Sequence, residues 1–339
     1  MVTLRDVAGA ARVTPSVVSR VLNHDATLRI RPETRDRILA AVEEFNYIPN
    51  GTARALRMSR TGTLGLVTHD LTNPVYGEMV RGAHRAASQA GYQLLLGDAD
   101  ELNRDLTPFD AMLRGGRIDG LLLMRSTRTS DSELAGLAAR TVPTVLLLDT
   151  TRPGVSAVRT DDAAGVRAGV EHLIALGHRR IAHLTGLPSF RSQQRHQGYL
   201  EALRVAGIRV RRDWVATGGW DANTGRTGMT TLLDRTGGSK VRPTAVFVSN
   251  ILAGMGALAA ARDAGLTIPT DLSVVALHDA WLADVASPPL TTVRMPLNEL
   301  GQRAVAMVLE GNSSEDREVL VTEPEPVIVP RASTATYPG

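Results

Sequence analysis

The sequence has no cysteine in 339 residues. Disulfides, thiol catalysis and thiolate metal sites are therefore excluded, although a chain without thiols is tolerated in either redox compartment. Aromatic residues make up only 4% of the chain, and lysine occurs once, at Lys240. Basic charge thus falls to arginine, so position and local sign inform more than residue identity. No apolar run approaches the roughly eighteen residues of a membrane span, and the start, Met1-Val2-Thr3-Leu4-Arg5-Asp6, lacks the apolar stretch of a signal peptide. A soluble, cytoplasmic protein without membrane contact is expected. There is no Gly-x-Ser-x-Gly elbow, Walker loop or His-Glu-x-x-His, so the chain is not expected to be an enzyme or to need a cofactor.

With 43% hydrophobic and 22% charged residues, the chain has the material for a small domain plus a larger two-lobed one. The net charge of +3 divides unevenly: residues 1–60 hold ten arginines against six acids, leaving the remainder at −1. A compact basic head on a near-neutral body is the arrangement phosphate neutralisation by one end of a molecule requires.

Within that head, Thr3 is placed to cap a helix over 4–11, with Asp6 three residues on in a capping-box arrangement and Val7, Ala8 and Ala11 as the apolar stripe. Thr14 is a second N-cap. Pro15 then sits where its fixed φ and missing N–H are harmless, which predicts a helix over 15–22. Arg31-Pro32-Glu33-Thr34 opens a third, to about Glu44, with Ile38, Leu39, Val42 and Phe45 closing a small core.

Thr3-Leu4-Arg5-Asp6-Val7-Ala8, Val13-Thr14-Pro15, Val18-Ser19-Arg20-Val21-Leu22-Asn23, Thr34-Arg35 and Asn46-Tyr47-Ile48-Pro49-Asn50 resemble, in order and spacing, the head of the lactose-repressor (LacI/GalR) family. The resemblance implies a helix-turn-helix whose second helix enters the major groove. Pro15 and Ser16 would then face base edges, Thr3, Thr14, Ser19, Asn23 and Tyr47 would contact phosphates, and Arg20 would lie at or near the DNA. Two departures bear on operator preference: Val17 stands where a threonine is common, and Arg31 replaces a usual serine cap. By the same likeness, residues 48–61 form a hinge helix that folds on the operator. Leu56 is its minor-groove wedge, flanked by Asn50, Ala53, Arg54 and Arg57. Alone in water a segment that short is not helical.

From Thr63 onward, apolar runs alternate with amphipathic stretches. Strands are expected at 64–68, 92–97, 120–124, 144–148, 181–185, 245–248 and 273–276, with helices such as 77–90 and 163–176 ended by Gly91 and Gly177. The fold class is α/β: a three-helix head (1–47), the hinge (48–61) and a core (62–339) of parallel sheets with helices on both faces. Asp70-Leu71-Thr72-Asn73-Pro74, Asp119-Gly120-Leu121, Leu176-Gly177-His178-Arg179 and Pro289-Leu290-Thr291-Thr292-Val293 resemble the family's periplasmic-binding-protein-like core. That likeness implies an N-lobe of 62–160 plus 292–322 and a C-lobe of 161–291 plus 323–331, with a small-molecule effector between them.

The effector contacts carried over are Leu71, Asn73, Tyr76, Met124, Ser126, Asp149, Arg195, Trp220, Asn250 and His278, with Trp220 able to stack on a sugar face. Ile251 and His278 stand where relatives commonly carry aspartate, which removes carboxylates from a region that usually binds sugar hydroxyls. With Arg125 and Arg195 nearby, an effector with an anionic group, such as a phosphorylated or acidic sugar, is expected.

Gly254-Met255-Gly256-Ala257-Leu258-Ala259 matches a dinucleotide fingerprint on paper but begins beyond the strand expected to end at Val248, inside a helical stretch. Glu171, His172, His178 and His183 are metal-ligand types split between a helix, its cap and the next strand, and no metal is expected. The function expected from the resemblance is a homodimeric repressor of carbohydrate uptake or catabolism genes that binds a near-palindromic double-stranded operator under effector control. Whether the effector releases or promotes DNA binding stays open. The alternative is a solute-binding protein for transport, which the core alone would allow.

Overall fold

The computed structural model describes residues 2–23, 25, 27–47, 60–102, 104–125, 136, 141–236, 242–311 and 316–337, and divides into two units, Met1–Thr61 and Gly62–Gly339.

Among its described residues the first unit holds three helices, α1 (Leu4–Ala10), α2 (Pro15–Leu22) and α3 (Pro32–Glu44). Asp6 accepts from the Thr3 amide at 2.7 Å and its hydroxyl at 2.8 Å, closing the start of α1. Thr14 occupies the N-cap of α2 in extended conformation, but its hydroxyl makes no capping bond there, so Pro15 is the residue that sets the helix start. Val7, Ala8, Ala11, Val18, Val21, Ile38 and Ala41 form the core, and Arg37 Nε donates to the Ala11 carbonyl at 2.8 Å, tying α3 to the end of α1. Leu39, expected in this core, is 47% exposed: Ile38 and Ala41 take the inward face three residues apart, and Leu39 falls on the next side of the helix.

Among its described residues the second unit contains two six-stranded sheets. The first runs β11 (Glu318–Val321), β5 (Ser156–Thr160), β4 (Thr144–Leu147), β3 (Gly120–Leu123), β1 (Thr63–Thr68), β2 (Gln93–Asp98), every pairing parallel. The second runs β12 (Val327–Val329), β10 (Thr291–Arg294), β9 (Ser273–Leu277), β8 (Ala245–Val248), β6 (Ile181–Thr185), β7 (Val215–Thr217), parallel except for β12. Central strands such as Gly120–Leu123 and Ala245–Val248 are buried throughout, as apolar runs covered on both faces must be.

The helices named below are α4 (Gly77–Gln89), α5 (Thr107–Arg114), α6 (Asp162–Ala175), α7 (Phe190–Val205), α8 (Ala222–Thr236), α9 (Ile251–Asp263) and α10 (Leu297–Glu310). Gly91 and Gly177 follow α4 and α6 at φ of 78° and 95°, the left-handed caps expected of them. The crossing back to the N-lobe comes later than the expected residue 292. Thr291–Val293 still pairs with Val275–Leu277, because the β-branched run continues the parallel register of the C-lobe sheet, and only α10 and β11 return to the N-lobe. Three helix pairs among the described residues meet backbone to backbone, α4 with α10, α8 with α9, and α6 with α7 through Gly198 against the Ala163 carbonyl. A Cβ at Gly82 in α4 would lie 1.9 Å from the Asn298 carbonyl oxygen of α10, and one at Gly256 in α9 equally close to that of Ala222 in α8. The paper match to a dinucleotide fingerprint is thus a packing stripe inside α9.

Candidate nucleic-acid face and interlobe cleft

In the head, Val18 and Val21 turn inward while Thr14, Pro15 and Ser16 lie exposed at the start of α2, leaving that end free to meet another surface. Thr3 and Asn23 are exposed and Ser19 is half-buried. Asn23 Nδ2 donates to the Ser19 carbonyl at 2.6 Å, sealing the other end of α2. Arg20 is engaged within the domain: Nε donates to Asp25 at 2.7 Å and a terminal nitrogen to the Thr27 hydroxyl at 2.9 Å. Bonds from Thr27 and Arg20 hold the Asp25 carboxyl well below the usual carboxylate range. Tyr47 is half-buried against the core. Asn50, Ala53, Arg54, Leu56 and Arg57 lie outside the described residues.

A cleft of about 850 Å³ opens between the two sheets of the core, within the roughly 300–1,000 Å³ typical of small-molecule sites. Its lining follows the carboxyl ends of strands. His69, Asn73 and Tyr76 come after β1, Arg125 after β3, Leu148 and Asp149 after β4, Phe190, Arg191 and Arg195 after β6, Trp220 after β7, Asn250 after β8 and His278 after β9. Leu148 and His278 hold left-handed φ of 55° and 69°, unusual for residues with side chains and the kind of strain that clusters at functional sites. The starts of α7 and α9 also face the cleft, where Ser189 accepts from the Ser192 amide and Asn250 from the Ala253 amide.

Asp162, at the start of α6, lies behind the cleft floor. It accepts from Arg195 Nε at 2.7 Å and the Thr160 hydroxyl at 3.0 Å, and Arg191 Nε stands 3.6 Å away. Burial alone would raise the Asp162 carboxyl, but the Arg195 and Arg191 guanidiniums outweigh it and hold it low. Arg195 is fully buried. Its remaining nitrogens donate to the Ser249 carbonyl and, at 3.0 Å, to His278 Nε2, and desolvation brings its pKa to about 10. A guanidinium only donates, so His278 Nε2 accepts and the proton sits on Nδ1, which is buried with no hydrogen-bond partner. Burial and the adjacent Arg195 push the His278 imidazole well below its ordinary range, leaving it neutral.

Of the expected effector contacts, Asn73, Tyr76, Asp149, Arg195, Trp220, Asn250 and His278 line this cleft together. Leu71 is exposed away from the lining and Met124 is packed in the core, because the side chain after β3 turns inward; Ser126 lies outside the described residues. Arg125 and Arg195 do not supply the free positive charge expected of them: Arg125 pairs with Asp149 at 2.6 Å and Arg195 with Asp162. Arg191 and Phe190, not singled out from the sequence, line the floor; Ser189 before them is an N-cap signal that would have placed them at a helix start. His178 and His183 have structural partners in Thr244, Ser273 and Ser249, and among the described residues no cluster of His, Asp and Glu is suited to hold a metal.

Several large apolar side chains of the core are exposed, and two pairs lie close together in the chain. Leu95 and Leu96 lie on β2, an edge strand of the first sheet, and Trp281 and Val285 lie between β9 and β10. Among the described residues no helix is long and apolar enough to cross a membrane.

Comparison with known proteins places this geometry. Residues 3–50 match the family of bacterial regulatory proteins of the lacI type, and residues 170–334 match a periplasmic binding protein-like domain. The ribose operon repressor of Escherichia coli K12 is 33% identical, with 98% of this chain and all of the relative aligned. The structure of the transcriptional regulator CelR in complex with cellobiose is 31% identical, covers 98% of this chain and all of that one, and superposes with a TM-score of 0.70. The lac repressor dimer bound to operator and the anti-inducer ONPF is 28% identical over 98% of this chain and 99% of that one, with a TM-score of 0.76. The likeness thus takes in head and core together along almost the whole length of these relatives, and the chain belongs to the LacI family of DNA-binding transcriptional regulators.

Proposed function

We propose that the chain is a homodimeric repressor whose heads, with the 48–61 hinges, bind a near-palindromic operator in the cytoplasm, and whose cleft takes a sugar-like effector controlling carbohydrate uptake or catabolism genes. The observation that carries the reading is a strand-end cleft of ligand size in the same chain as a head with the start of α2 exposed. The cellobiose in the CelR complex and the ribose operon in the name of the E. coli relative support a carbohydrate. Trp220 and Phe190 offer aromatic surface for a sugar ring, and Asp149, Asn73 and Asn250 offer partners for hydroxyls. Leu95 and Leu96 on the unpaired edge of β2, with Trp281 and Val285, support a partner copy covering these surfaces.

Fluorescence anisotropy with a palindromic operator tests the reading. Binding is expected to weaken steeply with salt, as release of counterions requires, and to change on addition of an effector. Equal affinity for operator and scrambled duplex at moderate salt would overturn it.

A further inference from the structure

The cations of the cleft are not evenly matched. On the N-lobe side Arg125 pairs with Asp149 and Arg104 with Glu101, and Arg152 also lines the cleft. On the C-lobe floor two guanidiniums, Arg191 and Arg195, share Asp162, and Asp162 already accepts from Arg195 and Thr160. His278 adds no compensating charge, because its ring is neutral, and Arg191 Nε and His278 Nδ1 are both buried donors without an acceptor. The floor therefore carries about one unit of positive charge in a desolvated setting, where it is worth more than at a surface. The starts of α7 and α9, helices of sixteen and thirteen residues, face the same space and add the positive ends of two helix dipoles. Across the cleft the carboxylates of Asp70, Asp98, Asp100 and Glu101 outnumber Arg152 on the N-lobe wall, and Asp221 lies exposed on the C-lobe side, so the buried excess of positive charge is that of the floor.

We infer that the effector is a polyhydroxylated anion, a sugar acid or a sugar phosphate, bound with its carboxylate or phosphoryl group against Arg191 on the C-lobe floor and its hydroxyls toward the N-lobe carboxylates. The inference rests on the reading of the cleft as the effector site. Arg191 is the recognising residue because Arg195 spends its nitrogens on Asp162, Ser249 and His278, whereas Arg191 lines the cleft beside Tyr76 and over the Trp220 ring with a longer, shared ion pair to Asp162. Loss of a charge-assisted bond of this kind weakens binding by about 10- to 100-fold.

The test titrates the full-length protein, by calorimetry at fixed ionic strength, with glucose, glucuronate and glucose 6-phosphate, and with galactose, galacturonate and galactose 6-phosphate. Thermal melts in inorganic phosphate against chloride accompany the titrations. In at least one series an acid or phosphate is expected to bind about 10-fold or more tighter than its neutral parent, with Arg191→Gln abolishing the difference. Phosphate is expected to raise the melting temperature of the wild type more than that of Arg191→Gln, whichever sugar is the natural ligand. The acid and phosphate arms separate the two sources of the anion. Neutral sugars binding as well as their charged partners, or a phosphate effect identical in the two proteins, would overturn the anionic effector and leave the cleft reading intact. A ligand that alters operator binding equally in wild type, Arg191→Gln and Trp220→Ala would overturn the cleft reading itself.

Discussion

Replacing Asp162 by asparagine keeps the size of the side chain and removes the carboxylate that Arg195 touches. The Arg195 side chain is 1% exposed and that of Asp162 6%, so water cannot take over the lost charge. With Asp162 in place the guanidinium pKa is about 10, so in the wild type Arg195 is charged at neutral pH even in this desolvated site. Breaking one side of a buried pair costs about 3–5 kcal/mol, since the surviving ion is left uncompensated, and here Arg191 adds a second positive charge 3.6 Å from the same oxygen. Urea unfolding followed by tryptophan fluorescence isolates the core, because Trp214, Trp220 and Trp281 all lie beyond Thr61. The midpoint is expected to fall by about 1–2 M for a slope near 2–3 kcal/mol/M. Adding Arg195→Met removes the stranded charge, and the double variant is expected to be more stable than Asp162→Asn alone. A midpoint within about 0.3 M of wild type, or a double variant as unstable as the two single losses combined, would refute the account of a charge-bearing floor.

Acid is expected to destabilise the core through His183 and His278, both buried and held well below the ordinary histidine range, chiefly by burial. The unfolded chain takes up these protons below about pH 6.5 and the folded core does not, so stability is full above that pH and falls beneath it by about 1.4 kcal/mol per pH unit for each ring. Urea midpoints flat between pH 7.5 and 5 would contradict this, and His278→Asn, which suits a left-handed backbone, is expected to remove one ring's share of the slope, about 1.4 kcal/mol per pH unit. Gly256→Ala forces a methyl against the Ala222 carbonyl and is expected to cost about 1–3 kcal/mol; an unchanged melting temperature would count against the close α8–α9 contact. Leu96→Glu with Trp281→Glu is expected to yield monomers by sedimentation and to weaken operator binding together with assembly; dimers that persist would place the interface elsewhere.

The head was legible because its signals are local: a proline at the start of α2 and another at the start of α3, and apolar residues at helical spacing, mark boundaries without tertiary information. The central strands were legible because burial on both faces demands continuous apolar runs. β5 and β7, with the sequences Ser-Ala-Val-Arg-Thr and Val-Ala-Thr, are short and partly polar and owe their conformation to the neighbour they pair with, so nothing local announces them. The cleft was legible as a set of strand ends, but its electrostatics were not. Which arginine is matched depends on Asp149 and Asp162, which are 24 and 33 residues away along the chain from the partners they choose. Met124 and Leu71 show the same limit on a smaller scale, since a residue's place just after a strand does not say which way its side chain turns.

The late crossing of the chain has a consequence for the order in which a ribosome can finish the parts. The head core closes with residues before 48, whereas the first sheet waits for Glu318–Val321 and the second for Val327–Val329. A nascent chain therefore presents its operator-reading helices some 270 residues before either lobe is whole. Any chain arrested in between would carry the DNA-facing surface without the sensor that controls it. Met79, Ala83 and the apolar face awaiting α10 would still be bare in such a chain, making it a ready substrate for chaperones and proteases.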